Sequence, residues 1–474
     1  MPKPASKAAL TPPKGTRDLL PRDLVARNRV FDLLRATFER YGYEPLETPS
    51  VESSAALEGK YGEEGERLLF RILKRGNELA AAANTALALP EAERTPGALA
   101  RAFSDMALRY DLTVPLARVV AAHQNDLVLP FRRYQIQPVW RADRPQHGRY
   151  REFYQCDIDC VGSASLAVDA ELLAVVCEVF TALGVRDFAV HINHRALLDA
   201  LMESAGVEAD RRVPAMTALD KLDKIGQEGV RAELNAAGLA ESAIDRLLEV
   251  VGLSGAPLAM VEALRPLVGA TAQGELGLRE LGQLFTNLAA MRVPAEHYQF
   301  DLSMVRGLAY YTGTIFETLP GGVRIGSLAS GGRYDKLIGQ FTGRDLPCTG
   351  ISFGIDRMFD ALEELGLLSG AATTATQALV TLFGADGLAD AAALAGELRA
   401  GGVRTEVYPD AKELRAQLTF ASKKGIPVAC ILGPDEIARG EVMVRDLRVG
   451  QQQAVPRGEV LAHIQALFSE SASE

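Results

Sequence analysis

A run of arginines followed by alternating polar residues is the part of this sequence best equipped for chemistry. Between Phe131 and Arg151 there are six arginines and one acid, Asp143, so this segment carries +5 in a chain of formal net charge −10. Fixed cations at this density suit phosphate groups. The segment that follows, residues 153–159, reads FYQCDID, which repeats polar or aromatic side chains at every second position.

The spacing of these residues predicts a long antiparallel hairpin over residues 131–162, because two strand-like runs flank a loop at residues 143–149 that contains Pro and Gly. Alternation along the second strand then places one set of side chains on a single face. That set is Arg151, Phe153, Gln155, Asp157 and Asp159. An ordinary sheet edge with solvated charges is the alternative. An arginine, an aromatic ring, an amide and two carboxylates on one face favour a site for a phosphate, a base and a cationic group.

A second polar stretch lies at residues 107–115, where polar and apolar side chains alternate. We expect a half-buried strand here, with Arg109, Asp111 and Thr113 on one face. Core packing on the apolar face explains the alternation. It does not explain a carboxylate and a hydroxyl on the other face, which are groups suited to holding an ammonium group.

Length and composition limit the class of protein. With 474 residues, two to four domains are expected, and the 48% hydrophobic content is enough for real cores. We expect no membrane span, because no 18-residue apolar stretch is present, and no signal peptide. The five cysteines are odd in number and form no CxxC pair, so buried reduced thiols in a cytoplasmic protein are expected, and no metal site.

The hairpin resembles the second signature motif of class II aminoacyl-tRNA synthetases, in the form seen in histidyl-tRNA synthetases. The loop RPQHGRYREF and the following YQCDIDCVG carry this likeness. Further segments resemble the same family in its own order along the chain. They are GTRDLLP at 15–21, TPSVE at 48–52 (motif 1), RYDLTVP at 109–115, two histidine-specific motifs at 305–313 and 327–341, and motif 3 at 350–357.

The resemblance implies an α+β protein with a class II catalytic domain built on an antiparallel sheet. Its two parts are expected at residues 1–184 and 299–369, separated by a helical insertion at 185–298. A C-terminal α/β anticodon-binding domain is expected at 376–474, after a small-residue linker. Motif 1 implies a homodimer. Residues 80–105 are extra relative to the family pattern and carry no chemistry that we can identify.

The activity implied by the resemblance is ATP-dependent ligation of L-histidine to tRNA(His) through a histidyl-adenylate, with Mg²⁺ accompanying ATP. Two arginines are implied as catalytic at the α-phosphate, Arg141 and Arg306. The implied ATP-binding residues are Arg141, Arg149, Phe153 and Arg357. The implied histidine-binding residues are Asp111, Thr113, Gln155, Asp159, Arg306, Tyr310 and Tyr311. No protein side chain is assigned to a metal.

Two positions depart from the family pattern, and two other functions stay open. Ala309 stands where the family often has Asp, and Asp356 replaces the more usual Glu. One alternative is a non-catalytic relative that serves as a regulatory subunit of ATP phosphoribosyltransferase, although such proteins generally lack the anticodon domain. The other is a histidine- or tRNA-sensing module that forms no adenylate. Histidine-dependent pyrophosphate exchange distinguishes both from the enzyme.

Overall fold

The computed structural model describes residues 10–146, 148–305, 311–368 and 372–470. These residues form two compact units. The first comprises the chain up to Arg17 together with Phe31–Leu367, and the second comprises Asp18–Val30 together with the chain from Leu368 onward. The domain boundaries expected from the sequence stay a prediction.

Helices make up the larger part of the regular structure. They are α1 (Pro21–Arg40), α2 (Ser54–Leu57), α3 (Gly62–Arg67), α4 (Gly76–Ala88), α5 (Pro96–Phe103), α6 (Thr113–Ala122), α7 (Leu166–Ala182), α8 (Arg195–Ser204), α9 (Ala209–Leu219), α10 (Leu222–Ala236), α11 (Glu241–Val251), α12 (Pro257–Val268), α13 (Ala272–Ala290), α14 (Gly339–Thr342), α15 (Ile355–Glu364), α16 (Leu388–Ala400), α17 (Leu414–Lys424), α18 (Pro434–Arg439) and α19 (Val460–Glu470).

The strands are β1 (Glu44–Pro45), β2 (Val51–Ser53), β3 (Arg71–Ile72), β4 (Met106–Leu108), β5 (Phe131–Trp140), β6 (Glu152–Val161), β7 (Phe188–His194), β8 (Tyr298–Phe300), β9 (Thr314–Pro320), β10 (Ala329–Arg333), β11 (Cys348–Gly354), β12 (Ala378–Val380), β13 (Thr405–Val407), β14 (Val428–Ile431), β15 (Glu441–Asp446) and β16 (Gln452–Pro456).

The first unit is organised around an eight-stranded sheet in the order β1-β5-β6-β11-β10-β9-β7-β8. Its inner pairs are antiparallel, and only the two end strands, β1 and β8, pair in parallel with their neighbours. A small sheet, β2-β4-β3, lies in the same unit. Between β7 and β8 the chain forms the six consecutive helices α8–α13. Distant parts of the sequence therefore meet on adjacent strands.

The predicted hairpin is confirmed. β5 and β6 pair antiparallel along their whole length, with Phe131 opposite Val161 and Trp140 opposite Glu152. On one face of β6, Cys156, Ile158 and Cys160 are fully buried in the apolar core. Since side chains alternate along a strand, the polar residues of β6 lie on the opposite face.

The expected strand over residues 107–115 is wrong for most of its length. β4 ends at Leu108, and α6 begins at Thr113. The reason is local, because the carboxylate of Asp111 accepts a hydrogen bond from the backbone N–H of Val114 and so satisfies one of the donors left open at the helix start. Pro115 is compatible with this helix because it lies in the first turn.

The second unit contains a five-stranded sheet in the order β13-β12-β14-β15-β16, parallel across the first three strands and antiparallel across the rest. The strand-like runs of the sequence at residues 378–383, 403–408, 428–432 and 441–446 predict four of these strands, β12 to β15, and this prediction is confirmed. The core beneath them includes Val380, Leu394, Val428 and Ile464, all buried. This is the compact α/β arrangement expected for the C-terminal part of the chain.

Candidate active site

A cavity of about 280 Å³ opens on the polar face of the eight-stranded sheet. Its walls come from β6, β10 and β11 and from the starts of α6 and α15. The structure brings nine of the eleven predicted site residues to this cavity. They are Asp111, Thr113, Arg141, Arg149, Phe153, Gln155, Asp159, Tyr311 and Arg357. The other two, Arg306 and Tyr310, lie outside the described residues.

Asp111 forms one corner of the cavity. Its Oδ1 atom accepts hydrogen bonds from the backbone N–H of Val114 (3.1 Å) and from the hydroxyl of Tyr61 (3.0 Å). Burial raises the pKa of the Asp111 carboxyl, although these bonds and the charge of Arg141 oppose the shift. Tyr61 was not foreseen from the sequence, because it reaches this corner from a helix boundary fifty positions earlier.

Arg141 is fixed between two aromatic rings. Its guanidinium carbon lies 4.3 Å from the ring centroid of Tyr110 and 5.2 Å from that of Phe153. Its Nε atom donates to the carbonyl oxygen of Tyr110 at 3.1 Å. Stacking on aromatic faces favours arginine and restricts its rotamers, so the charge is held in place before any ligand arrives.

Two further arginines lie toward the loop of the hairpin. Arg149 is about half exposed, and its Nε lies 3.5 Å from a carboxylate oxygen of Asp143. Arg357, near the start of α15, donates to the backbone carbonyls of Gly148 and Ser327, each at 3.3 Å. Arg149 and Arg357 therefore both line this end of the cavity.

The opposite end is acidic, and we call Asp111, Asp157 and Asp159 its acidic floor. Asp159 accepts a short hydrogen bond from the hydroxyl of Tyr334, and its Oδ2 lies 2.8 Å from Nη2 of Arg133. Burial raises the pKa of Asp159, and Arg133 and Tyr334 oppose that shift. Gly350 makes this possible, because a Cβ there would lie 1.9 Å from Oδ1 of Asp159.

Asp157 is less well paired than its neighbour. The closest cation is Nη2 of Arg133 at 3.8 Å. Burial, reinforced by the nearby charge of Asp159, raises the pKa of the Asp157 carboxyl to about 7. Beside it, the amide of Gln155 donates to the hydroxyl of Ser352 at 2.7 Å.

Arg133 is a functional neighbour whose place the sequence did not reveal. We counted it among the cations available for phosphate, but the structure places it fully buried under the acidic floor. The pairing of β5 with β6 sets Arg133 directly opposite Asp159. Alternation along β5 assigns Arg133 to one face of that strand. Only the register of β5 against β6 shows which acid it lies opposite.

No group of three or more His, Cys, Asp or Glu side chains that could hold a metal ion is found within the described residues. All five cysteines are free and buried, as predicted from their spacing. Among the described helices, none combines the length and the apolar character that crossing a bilayer requires.

Comparison with known proteins identifies the family. A sequence model described as Histidyl-tRNA synthetase matches residues 102–358. A relative from Phocaeicola vulgatus, named Histidine--tRNA ligase, is 42% identical over 454 residues, which cover 96% of this chain and 98% of the relative. The chain belongs to the histidyl-tRNA synthetase family. A second model, described as an anticodon binding domain, matches residues 377–467.

Solved structures agree with this membership of the histidyl-tRNA synthetase family. A histidyl-tRNA synthetase from Nostoc sp. PCC 7120 superposes with a TM-score of 0.83 at 30% identity, covering 96% of this chain and 99% of that one. A Bacillus halodurans protein titled ATP phosphoribosyltransferase regulatory subunit/histidyl-tRNA synthetase gives 0.69 at 25% identity, covering 91% and 100%. The predicted fold class, an α+β class II catalytic domain with a C-terminal anticodon-binding domain, is confirmed.

Proposed function

We propose that this protein is a histidine–tRNA ligase, which joins L-histidine to tRNA(His) in two steps. The histidine carboxylate attacks the α-phosphorus of ATP, giving histidyl-adenylate and pyrophosphate. The terminal ribose hydroxyl of the tRNA then takes the histidyl group and releases AMP. The observation that carries the proposal is one cavity lined both by arginines (Arg141, Arg149 and Arg357) and by the carboxylates of the acidic floor, in a chain of this family.

The arginines are suited to the first step. Negative charge is spread over the phosphoryl oxygens as the carboxylate approaches, so donors fixed in advance lower the barrier without reorganising. Arg141, immobilised by Tyr110 and Phe153, is the described residue best placed to bind the α-phosphate. Arg306 is assigned the same task by family likeness. Arg149 and Arg357 are assigned to the outer phosphates, and Phe153 to the adenine ring.

The acidic end is suited to a cationic amino acid. In this proposal Asp111, Thr113 and Gln155 bind the ammonium group of histidine. The imidazole lies against Asp159 and Tyr311, with Tyr310 alongside. A buried polar site of this kind rejects apolar side chains, because they leave its acceptors without partners.

Mg²⁺ is expected to enter with ATP and to be bound mainly by the phosphates and water, as this ion prefers. The residues present fit that arrangement. Asp143 supplies a carboxylate at the cationic end of the cavity, and the described residues form no separate metal cluster. When bound, the ion would neutralise phosphate charge.

The segment matched by the anticodon-binding model supports tRNA as the second substrate. Its charge is no guide, since Lys and Arg do not exceed Asp and Glu beyond residue 371. Recognition there must depend on local groups such as Lys423, Lys424 and Arg439. A homodimer in the cytoplasm is part of the proposal by family likeness.

A regulatory subunit of ATP phosphoribosyltransferase is the weaker candidate. The relative whose title names that role is 25% identical, against 42% for a relative named as the ligase. The segment that matches an anticodon-binding domain also fits the ligase better.

Histidine-dependent ATP–pyrophosphate exchange by the full chain tests the proposal, followed by charging of tRNA(His). Arg141→Ala should lower exchange by about 10²- to 10³-fold, the usual cost of losing one donor to a developing oxyanion. Arg132→Ala is the matched control, because Arg132 lies in the same hairpin but pairs with Glu171 away from the cavity. No exchange by the wild type, or equal losses in both variants, would contradict the assignment.

A further inference from the structure

Buried acceptors without a hydrogen-bond partner among the described residues lie on the cavity face of β6. They are Oε1 of Gln155, Oδ1 of Asp157 and Oδ2 of Asp159, and of the three only Oδ2 of Asp159 lies within 3 Å of a described cation, that of Arg133. Within the part of the chain that the structure describes, Gln155 and Asp157 are the two that lack any such neighbour. Their residues are two positions apart, so the groups are spaced by roughly 6–7 Å along the strand. Buried acceptors without partners are rare in native proteins and call for an explanation.

Asp159, by contrast, has a hydrogen-bond donor at one oxygen and a close cation at the other. The hydroxyl of Tyr334 donates to Oδ1, and the guanidinium of Arg133 lies 2.8 Å from Oδ2. The same guanidinium is 3.8 Å from Asp157, beyond hydrogen-bonding distance. Arg133 therefore fixes Asp159 and leaves Asp157 available.

The charges of the acidic floor point to a ligand that brings positive charge or N–H groups. Two carboxyls, those of Asp157 and Asp159, face one buried guanidinium, that of Arg133. The third, that of Asp111, feels the charge of Arg141. Ser352 and Gln155 are the neutral polar groups beside Asp157, and Tyr334 lies beside Asp159. Burial raises the pKa of the Asp157 carboxyl although Arg133 and a hydrogen bond with Ser352 oppose the shift, which agrees with a carboxyl group that is only partly paired.

We propose that Asp157 is a specificity-determining residue, whose Oδ1 accepts a hydrogen bond from the imidazole N–H of the substrate. This rests on the proposed function, since it takes the amino-acid substrate to be histidine. Gln155 meets the ammonium group at one position of β6, and Asp157 meets the side chain two positions further. Asp159 keeps its place against the imidazole and, in addition, positions Arg133 and Tyr334.

The inference accounts for selectivity in physical terms. A ring without an N–H leaves Oδ1 of Asp157 buried and unpaired, which a site built for a hydrogen bond does not tolerate. A ring with N–H groups satisfies it. Asp157 should therefore contribute to discrimination between histidine and amino acids with similar flat rings.

The experiment measures histidine-dependent pyrophosphate exchange by Asp157→Asn and Asp157→Ala. The KM for histidine should rise roughly 10- to 100-fold in Asp157→Ala, while the KM for ATP changes less than about twofold. The preference for histidine over β-(2-thienyl)alanine, whose ring has no N–H, should fall by a similar factor. Asp157→Asn retains the shape, and a smaller effect there also supports contact, because an amide can donate to the unprotonated ring nitrogen.

Asp169→Asn is the matched control, since Asp169 is a fully buried aspartate paired with an arginine of the same sheet, outside the cavity. It should alter thermal stability without changing the substrate preference. If both Asp157 variants keep the wild-type KM and preference, or shift the two KM values equally as their Tm falls, Asp157 is structural and the inference is wrong. Absence of exchange in the wild type would instead overturn the proposed function, and this inference with it.

Discussion

The eight-stranded sheet buries two arginine–aspartate clusters that differ in one respect. In the first, Arg133 faces Asp157 and Asp159, and both acids line the cavity. In the second, Arg333 pairs with the fully buried Asp169, and the partly exposed Asp335 lies 3.5 Å from its Nη1 atom. Both arginines leave Nε without a partner among the described residues, so the arginines themselves do not distinguish the clusters. The acids do.

Asp169 is fully satisfied. One carboxylate oxygen accepts from Arg333, and the other accepts from the hydroxyls of Thr314 and Thr349. Asp157 keeps an unpaired oxygen in a cavity. A buried acid with complete hydrogen bonding marks a cluster that supports the fold, whereas a buried acid with an unpaired oxygen beside a cavity marks one suited to binding a ligand.

Removing Asp169, the acid of the second cluster, should have the largest effect on stability. Asp169→Ala removes the buried counter-ion of Arg333 and leaves only the partly exposed Asp335 near it, and we expect a loss of about 3–5 kcal/mol in the free energy of unfolding. Chemical denaturation measures it. Folded enzyme that remains should have a normal KM for histidine, and a raised KM with unchanged stability would remove the distinction between the clusters.

The first cluster, through Asp157, should instead make the stability of the protein depend on pH. The pKa of Asp157 is about 7 in the folded protein against an unfolded value of 3.8, so the folded state holds the proton more tightly. Stability therefore decreases as pH rises toward 7, by roughly 3 kcal/mol between pH 5 and pH 8 for this group. Asp157→Asn lacks this penalty.

The difference in Tm between Asp157→Asn and the wild type should accordingly grow from pH 5 to pH 8. Asp111 and Asp159 also have raised pKa values and their charges act on Asp157, so the difference reports the titration of the interacting carboxyls and keeps the same sign. Saturating histidine should reduce the difference in Tm at pH 8, because the imidazole N–H of the bound histidine donates to the carboxylate of Asp157. A difference that is constant with pH would contradict the unpaired state of Asp157.

The contrast between the clusters shows what the sequence could and could not predict. The hairpin and the face that carries Gln155, Asp157 and Asp159 were predictable, because alternation is a property of neighbouring residues. The residues that pair with these side chains were not predictable. Arg333 and Asp169 are 164 positions apart, and Arg133 meets Asp159 only through the register of two strands.

Residues 107–115 were predicted wrongly because a strand and a helix start are both compatible with their pattern. Residues 107–115 alternate like a strand, yet the carboxylate of Asp111 caps a helix that begins at Thr113. Aspartate serves both as a polar strand residue and as a helix cap, and pattern alone does not separate the two. The family motif nevertheless placed Asp111 and Thr113 at the cavity.

A smaller effect should separate Asp159 from Asp157. Asp159→Asn weakens the pairing of Arg133 and Tyr334, so histidine binding should lose about 1–3 kcal/mol and the protein should also become less stable. Asp157→Asn should affect histidine without lowering stability. Exchange kinetics and Tm, measured together on both variants, check this. Lower stability in Asp157→Asn alone would reverse the two assignments.

The smallest effects should come from two hydroxyls on β11. The hydroxyl of Thr349 donates to Asp169 at 3.2 Å in the second cluster. The hydroxyl of Ser352 accepts from Gln155 at 2.7 Å beside Asp157 of the first cluster. Each bond should contribute about 1 kcal/mol, but to different quantities. Thr349→Val should lower the free energy of unfolding and leave the KM for histidine unchanged.

Ser352→Ala should instead raise the KM for histidine by about fivefold with little change in stability, because Gln155 loses the group that orients its amide toward the ligand. The two variants are matched controls for each other, being three residues apart on one strand with similar chemistry. Both should keep the KM for ATP. The opposite result would be that the two substitutions act alike on stability and on the KM for histidine. The distinction between Asp157, which binds the ligand, and Asp169, which supports the fold, would then not extend to the hydroxyls beside them.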